Sequence, residues 1–162
     1  MRKADIGNID LELRHTLEKE FLMEGMFILT RAMVDTIGSD ATIIEVRPHI
    51  RNSGHAFAIN IMNMFDVQGS DLNRIGEITN FMEELAGNFD RNEIENTNER
   101  IVRVGGIKCP WRDGPKETCI IGHEMFNQAI CEHINPDYTC NFTQMISAGD
   151  PICSWVIEKK KK

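Results

Sequence analysis

The stretch "YTCNFTQMISAGDPICSWVIE", residues 138–158, constrains the fold more than any other part of the chain. Two runs of alternating β-forming residues flank "AGDP", a cluster of turn formers, and that pattern predicts an antiparallel hairpin. With the turn centred on Ala148-Gly149, Phe142 opposes Trp155, Gln144 opposes Cys153 and Cys140 opposes Ile157. Alternation then places Cys140, Phe142, Cys153, Trp155 and Ile157 on one apolar face. A hairpin with one apolar face is not stable alone, so other elements must cover it.

The covering elements are read from helical periodicity. From a cap at Asp10, the residues Leu13, Leu17, Phe21, Met26, Leu29 and Met33 recur at helical spacing, and the pattern stops near Gly38-Ser39-Asp40. Gly25 is expected to bend or split that stretch. "ATIIEV" (residues 41–46) reads as a short β segment ending before Pro48, and "NSGHAFAINIMNMF" as a helix capped by Asn52 or Ser53. A further helix begins at Ser70 or Asp71 and closes on Gly87, with Leu72, Ile75, Ile78, Met82 and Leu85 as its core stripe. Two strands joined around residues 96–98 come next. A helix then opens on Pro115 and stops at Asn135-Pro136. The expected architecture is α+β: an antiparallel sheet of about four to five strands flanked by helices. Residues 1–158 are expected to form a single ligand-binding-like domain, and residues 159–162 a basic tail.

Charge and hydropathy narrow the function classes. The formal charge is -7, and the terminal lysines mask a body that is more acidic still. Such a body repels a phosphate backbone, so direct nucleic-acid binding is not expected. No apolar run is long enough for a membrane span, and residues 1–10 lack the apolar segment of a secretory signal. A cytoplasmic protein is the expectation, and its five cysteines are then expected to be reduced.

Two cysteines bracket the loop "KCPWRDGPKETC" (residues 108–119). At 100° per residue, Cys119 and His123 share the face of the helix after Pro115 that turns toward the sheet, with Phe126 and Ile130; Cys131 falls round the side. An i, i+4 pair is the spacing of helical metal ligands. Cys109, Cys119, His123 and Cys153 are therefore the candidate metal site, a thiolate-rich set suited to zinc, or alternatively to iron or an iron-sulfur centre. The same pair admits a second chemistry, with Cys119 as nucleophile and His123 as base. Plain burial of the thiols is the third reading.

"CPW" at 109–111, Cys119, "NPD" at 135–137 and "AGDPICSWVIE" at 148–158 together resemble the 4-vinyl-reductase (hydrocarbon-binding) domain superfamily. The nearest branches are the methanogen output domain and the aminothiazoline-carboxylate hydrolase-like proteins. The resemblance implies an α+β domain, dimeric through its N-terminal helices, which in some members senses small hydrophobic molecules beside a structural zinc. In the phenol-sensing members the zinc ligands include a Glu and a Cys at positions that correspond here to Phe142 and Met145, neither of which is a substitute. Only Cys153 carries over. The first functional reading is thus a sensory or regulatory domain with an apolar pocket lined by Met62, Met64, Phe65, Phe81 and Met82, and a homodimer. The alternative is a hydrolase of a small heterocycle or amide that uses Cys119 or a metal-bound water.

Overall fold

The fold is described from a computed structural model, which defines residues 11–85, 92–105 and 111–161. Helices α1 (Leu11–Ile37), α2 (Ser39–Met64) and α3 (Leu72–Leu85) precede strands β1 (Asn92–Asn96) and β2 (Arg100–Gly105). A broken helix comes after them: α4 (Lys116–Cys119), a π-helical segment (Ile120–Met125) and α5 (Phe126–Ile134). Strand β3 (Tyr138–Gln144), a 3-10 turn (Ile146–Ala148) and β4 (Cys153–Lys159) complete it. The four strands form one antiparallel sheet in the order β1-β2-β4-β3. The expected α+β class is what the chain adopts.

The hairpin has the expected face. Phe142 pairs with Trp155 and Cys140 with Ile157, but a bulge between Phe142 and Gln144 sets Gln144 opposite Ser154, not Cys153. The turn is a 3-10 turn closed by Gly149 at φ 101, a left-handed conformation natural to glycine, and Asp150 accepts the Met145 N–H at 2.6 Å. The inward residues Cys140, Cys153, Trp155 and Ile157 are buried under α3 and α5 with Ile75, Ile78, Ile101 and Ile130.

Helix α3 begins as expected: the Asp71 carboxylate accepts the Arg74 N–H at 3.0 Å, an N-cap contact. Helix α1 runs unbroken through Gly25. Residues 41–46 are not a strand, however; they lie in α2, which also carries Pro48, His49 and His55 in its interior. Burial decides this against local preference, because α2 lies along α5 with Gly54 and Ala58 at the contact. The buried Thr42 hydroxyl is satisfied within the helix by donating to the Gly38 carbonyl at 2.8 Å.

Among the described residues no helix is long and apolar enough to cross a membrane.

Candidate functional site

The most unusual part of the interior is a set of charged and polar side chains where α3 meets the sheet. Glu83 sits on the inward stripe of α3 and is 1% exposed; Arg103 takes an inward position on β2 and is 3% exposed. Arg103 is the cross-strand partner of Trp155, so the pair shares one face. The Arg103 guanidinium lies 3.5 Å from Glu83 and donates to the Thr79 hydroxyl at 3.1 Å and the Gly76 carbonyl at 2.9 Å. Its Nε faces Glu93 at 3.4 Å. Gly76 lets the two elements approach closely: a Cβ there would stand 2.6 Å from Ile101 Cδ1, the tip of a side chain that would have to turn aside.

Two more donors converge on Glu83. The Trp155 indole N–H donates to Oε1 at 3.0 Å, and His123 Nε2 lies 3.4 Å from the same oxygen. A carboxylate only accepts, so this contact is a hydrogen bond in the tautomer whose Nε2 carries hydrogen. A buried carboxylate without partners costs several kcal/mol, which explains why a cation and two N–H groups surround this one.

His123 comes from the π segment. A π turn packs its residues more widely than an α turn, so α5 is rotated about the helix axis relative to α4. The His123 ring is held edge-on between Phe142 and Trp155, 4.8 Å from each centroid. One α-type turn on is Asn127, fully buried, with no hydrogen-bond partner among the described residues for either side-chain polar atom. Leaving such an amide unsatisfied costs about 1–3 kcal/mol. A groove of about 360 Å³ between α3 and the β1–β2 edge, lined by Asn73, Asn80, Glu93 and Asn96, reaches Arg103 from outside.

The expected cysteine cluster is only partly assembled. Cys109 lies outside the described residues. Cys119 packs with Trp111 and Met145 and accepts the Ser147 hydroxyl at 3.2 Å. Cys153 accepts the Ile146 N–H at 3.4 Å, so both thiols abut the same 3-10 turn. His123 is directed to Glu83, Phe142 and Trp155. Among the described residues no three His, Cys, Asp or Glu side chains gather to hold a metal. Cys119 and His123, read as nucleophile and base, have different hydrogen-bond partners here.

Cys131 is fully buried in the main core, not at the side of the helix, because the π segment displaces the face extrapolated from Cys119. Burial pushes the Cys131 thiol up to about 12 and Cys140 well above its ordinary value, so both stay protonated and inert.

The apolar pocket expected from Met62, Met64, Phe65, Phe81 and Met82 does not take that form. Met62, Phe81 and Met82 pack on the core, whereas Met64 is 71% and Phe65 55% exposed. Sequence reasoning missed Glu83 and Arg103. Each falls on an inward-facing position of its own element, but nothing in the local pattern pairs a residue of α3 with one of β2.

No family model and no curated protein matches this chain. Solved structures do. The phenol-responsive sensory domain of the transcription activator PoxR, solved with phenol, superposes with a TM-score of 0.65 at 11% identity, over 85% of this chain and 74% of that one. Trafficking protein particle complex subunit 3 from Naegleria fowleri, covalently bound to palmitic acid, superposes with a TM-score of 0.57 at 12% identity, over 90% of this chain and 97% of that one. At these identities the likeness is one of fold.

Proposed function

We propose that this chain is a small-molecule-binding regulatory module of the 4-vinyl-reductase superfamily, with its ligand read at Glu83, His123 and Trp155. The observation that carries the reading is the buried polar centre itself. A carboxylate, an imidazole and an indole N–H converge beneath the edge of Phe142, one helical turn from an amide without partners among the described residues. Aromatic walls with a few convergent polar groups suit a small flat molecule carrying one hydroxyl. The fold shared with a phenol-responsive sensory domain supports that ligand class.

Titrating the protein with phenol, and separately with toluene, while following tryptophan emission tests the reading. Saturable quenching by phenol, weaker with toluene and weakened at least about tenfold in His123→Ala, a change of ~1.4 kcal/mol, is expected. Equal responses to both compounds would contradict recognition of a hydroxyl.

The module acts as a homodimer in this proposal. Leu17, Phe21, Leu22, Ile28 and Leu29 form an exposed apolar stripe on α1, with the small residues Gly25 and Ala32 along its middle. Antiparallel pairing of two α1 helices sets exposed Glu24 of each copy against exposed Arg31 of the other, which is the charge complementarity a second copy needs.

A second reading, a metal held by thiolates, is favoured by Cys119 and Cys153 meeting at one turn. Zinc suits such ligands, with iron or an iron-sulfur centre as the alternative. Elemental analysis of protein purified without oxygen or chelators decides it: about one metal per chain supports this reading, and none removes it.

A further inference from the structure

The groove between α2 and α5 stands apart from the interior site. It has a volume of about 200 Å³ and is lined by Arg47, Arg51, Met125, Gln128, Ala129 and Glu132. In a chain of charge -7, the cations around it outnumber the anions. Arg51 donates its Nε to Glu132 at 3.0 Å, and Lys160 approaches the other oxygen of that carboxylate at 3.8 Å. His55 lies 3.9 Å from Glu132, its ring tilted against His133 at 5.6 Å. Glu132 is thus shared among several positive or proton-bearing groups. The nearby Glu124 carboxylate is taken up by the Phe142 N–H at 3.0 Å and the Gln128 amide at 3.4 Å.

The remainder is unpaired positive charge. Arg47 is exposed and has no ion-pair or hydrogen-bond partner among the described residues, and the terminal nitrogens of Arg51 are likewise unengaged among them. The two arginines lie four residues apart, one turn along the same face of α2. Two guanidinium forks one turn apart match the oxygens of a compact oxyanion. Lys160 is held beside this groove: its N–H donates to the Asp137 carbonyl at 2.7 Å, which fixes the strand end near Glu132.

We propose that the α2–α5 groove binds a small oxyanion, a phosphate or carboxylate group, between Arg47 and Arg51. The site is independent of the ligand centre at Glu83. Its affinity for a free ion is on the order of 1 mM, as befits two exposed guanidinium groups in water.

Thermal unfolding of the full chain in sodium phosphate, in sodium succinate and in sodium chloride, at matched ionic strength, tests this. At roughly 10 mM, phosphate or succinate is expected to raise Tm by roughly 3 °C over chloride. The larger response identifies a phosphate-bearing or a carboxylate-bearing ligand. Arg47→Gln, at an exposed position, keeps its own Tm in chloride and loses most of the response. Arg112→Gln, an exposed arginine outside the groove, removes the same charge and keeps it. A response no greater than that to chloride, or one equal in Arg47→Gln and the wild type, overturns the proposal.

Discussion

Trp155 donates its indole N–H to Glu83 across 3.0 Å, joining the central strand β4 to α3. Both residues are almost wholly buried, and the oxygen that accepts this bond is the one His123 faces. One carboxylate therefore ties together the sheet, α3 and the π segment. Any ligand group that enters here meets all three elements at once.

Removing that carboxylate should be costly. Glu83→Ala leaves the Arg103 guanidinium and the Trp155 N–H short of an acceptor in the interior, and a loss of about 3 kcal/mol in urea unfolding is expected. Glu83→Gln retains an acceptor oxygen and should fall between the two. A change under about 1 kcal/mol for the alanine variant would show that the network does not hold the fold in place.

Packing between α2 and α5 depends on Gly54. A Cβ there would come 2.6 Å from the Ala129 Cβ and 2.9 Å from the Phe126 carbonyl, and neither neighbour is the end of a flexible side chain. Gly54→Ala should destabilise by about 1–3 kcal/mol despite the better helix propensity of alanine. Chemical denaturation checks this, and a neutral or stabilising result would mean that the two helices separate easily.

Stability should decline on both sides of neutrality. Burial, and then the charges of Arg51 and His133, hold the His55 pKa below its ordinary 6.5. The unfolded chain therefore takes up the proton first, and stability falls as pH drops below about 6.5. Cys131 behaves oppositely: its thiol is pushed from 9.0 up to about 12 by burial, so the unfolded chain ionises first and stability falls as pH rises above 9.0. Unfolding midpoints measured from about pH 5 to about pH 10 should show both declines, and His55→Gln should flatten only the acid one.

The α1 stripe gives a test that does not depend on any ligand. Phe21 is 78% exposed, so Phe21→Glu should leave the helical circular dichroism signal intact and convert a dimer to a monomer in light scattering. A wild-type monomer would contradict the pairing of α1 helices.

How far the sequence was legible depended on whether short-range patterns decided the structure. The pairings of Phe142 with Trp155 and of Cys140 with Ile157 derive from alternation around a turn and were readable. The α3 stripe was readable for the same reason at Leu72, Ile75, Ile78 and Met82, but Leu85, expected with them, is 43% exposed at the helix end. Residues 41–46 were misread because Thr42, Ile43 and Ile44 are β-branched, whereas they form the first turns of α2, with Thr42 wholly buried. The site was harder still. A π segment leaves no mark in hydrophobic periodicity, yet it turns Cys131 into the core and is the segment that carries His123 to Glu83. The partnership of Glu83 with Arg103 joins residues on α3 and β2 and needed the tertiary arrangement to be seen.

The most direct test of the ligand centre is the indole N–H resonance of Trp155 in a ¹H–¹⁵N spectrum recorded as phenol is added. Trp111 lies in the separate cluster with Cys119 and Met145 and serves as the internal reference. The Trp155 resonance should shift progressively and saturably while the Trp111 resonance moves far less, and His123→Ala should suppress the effect. A Trp155 resonance that stays in place at saturating phenol, or that moves no more than Trp111, would contradict a ligand centre at Glu83, His123 and Trp155.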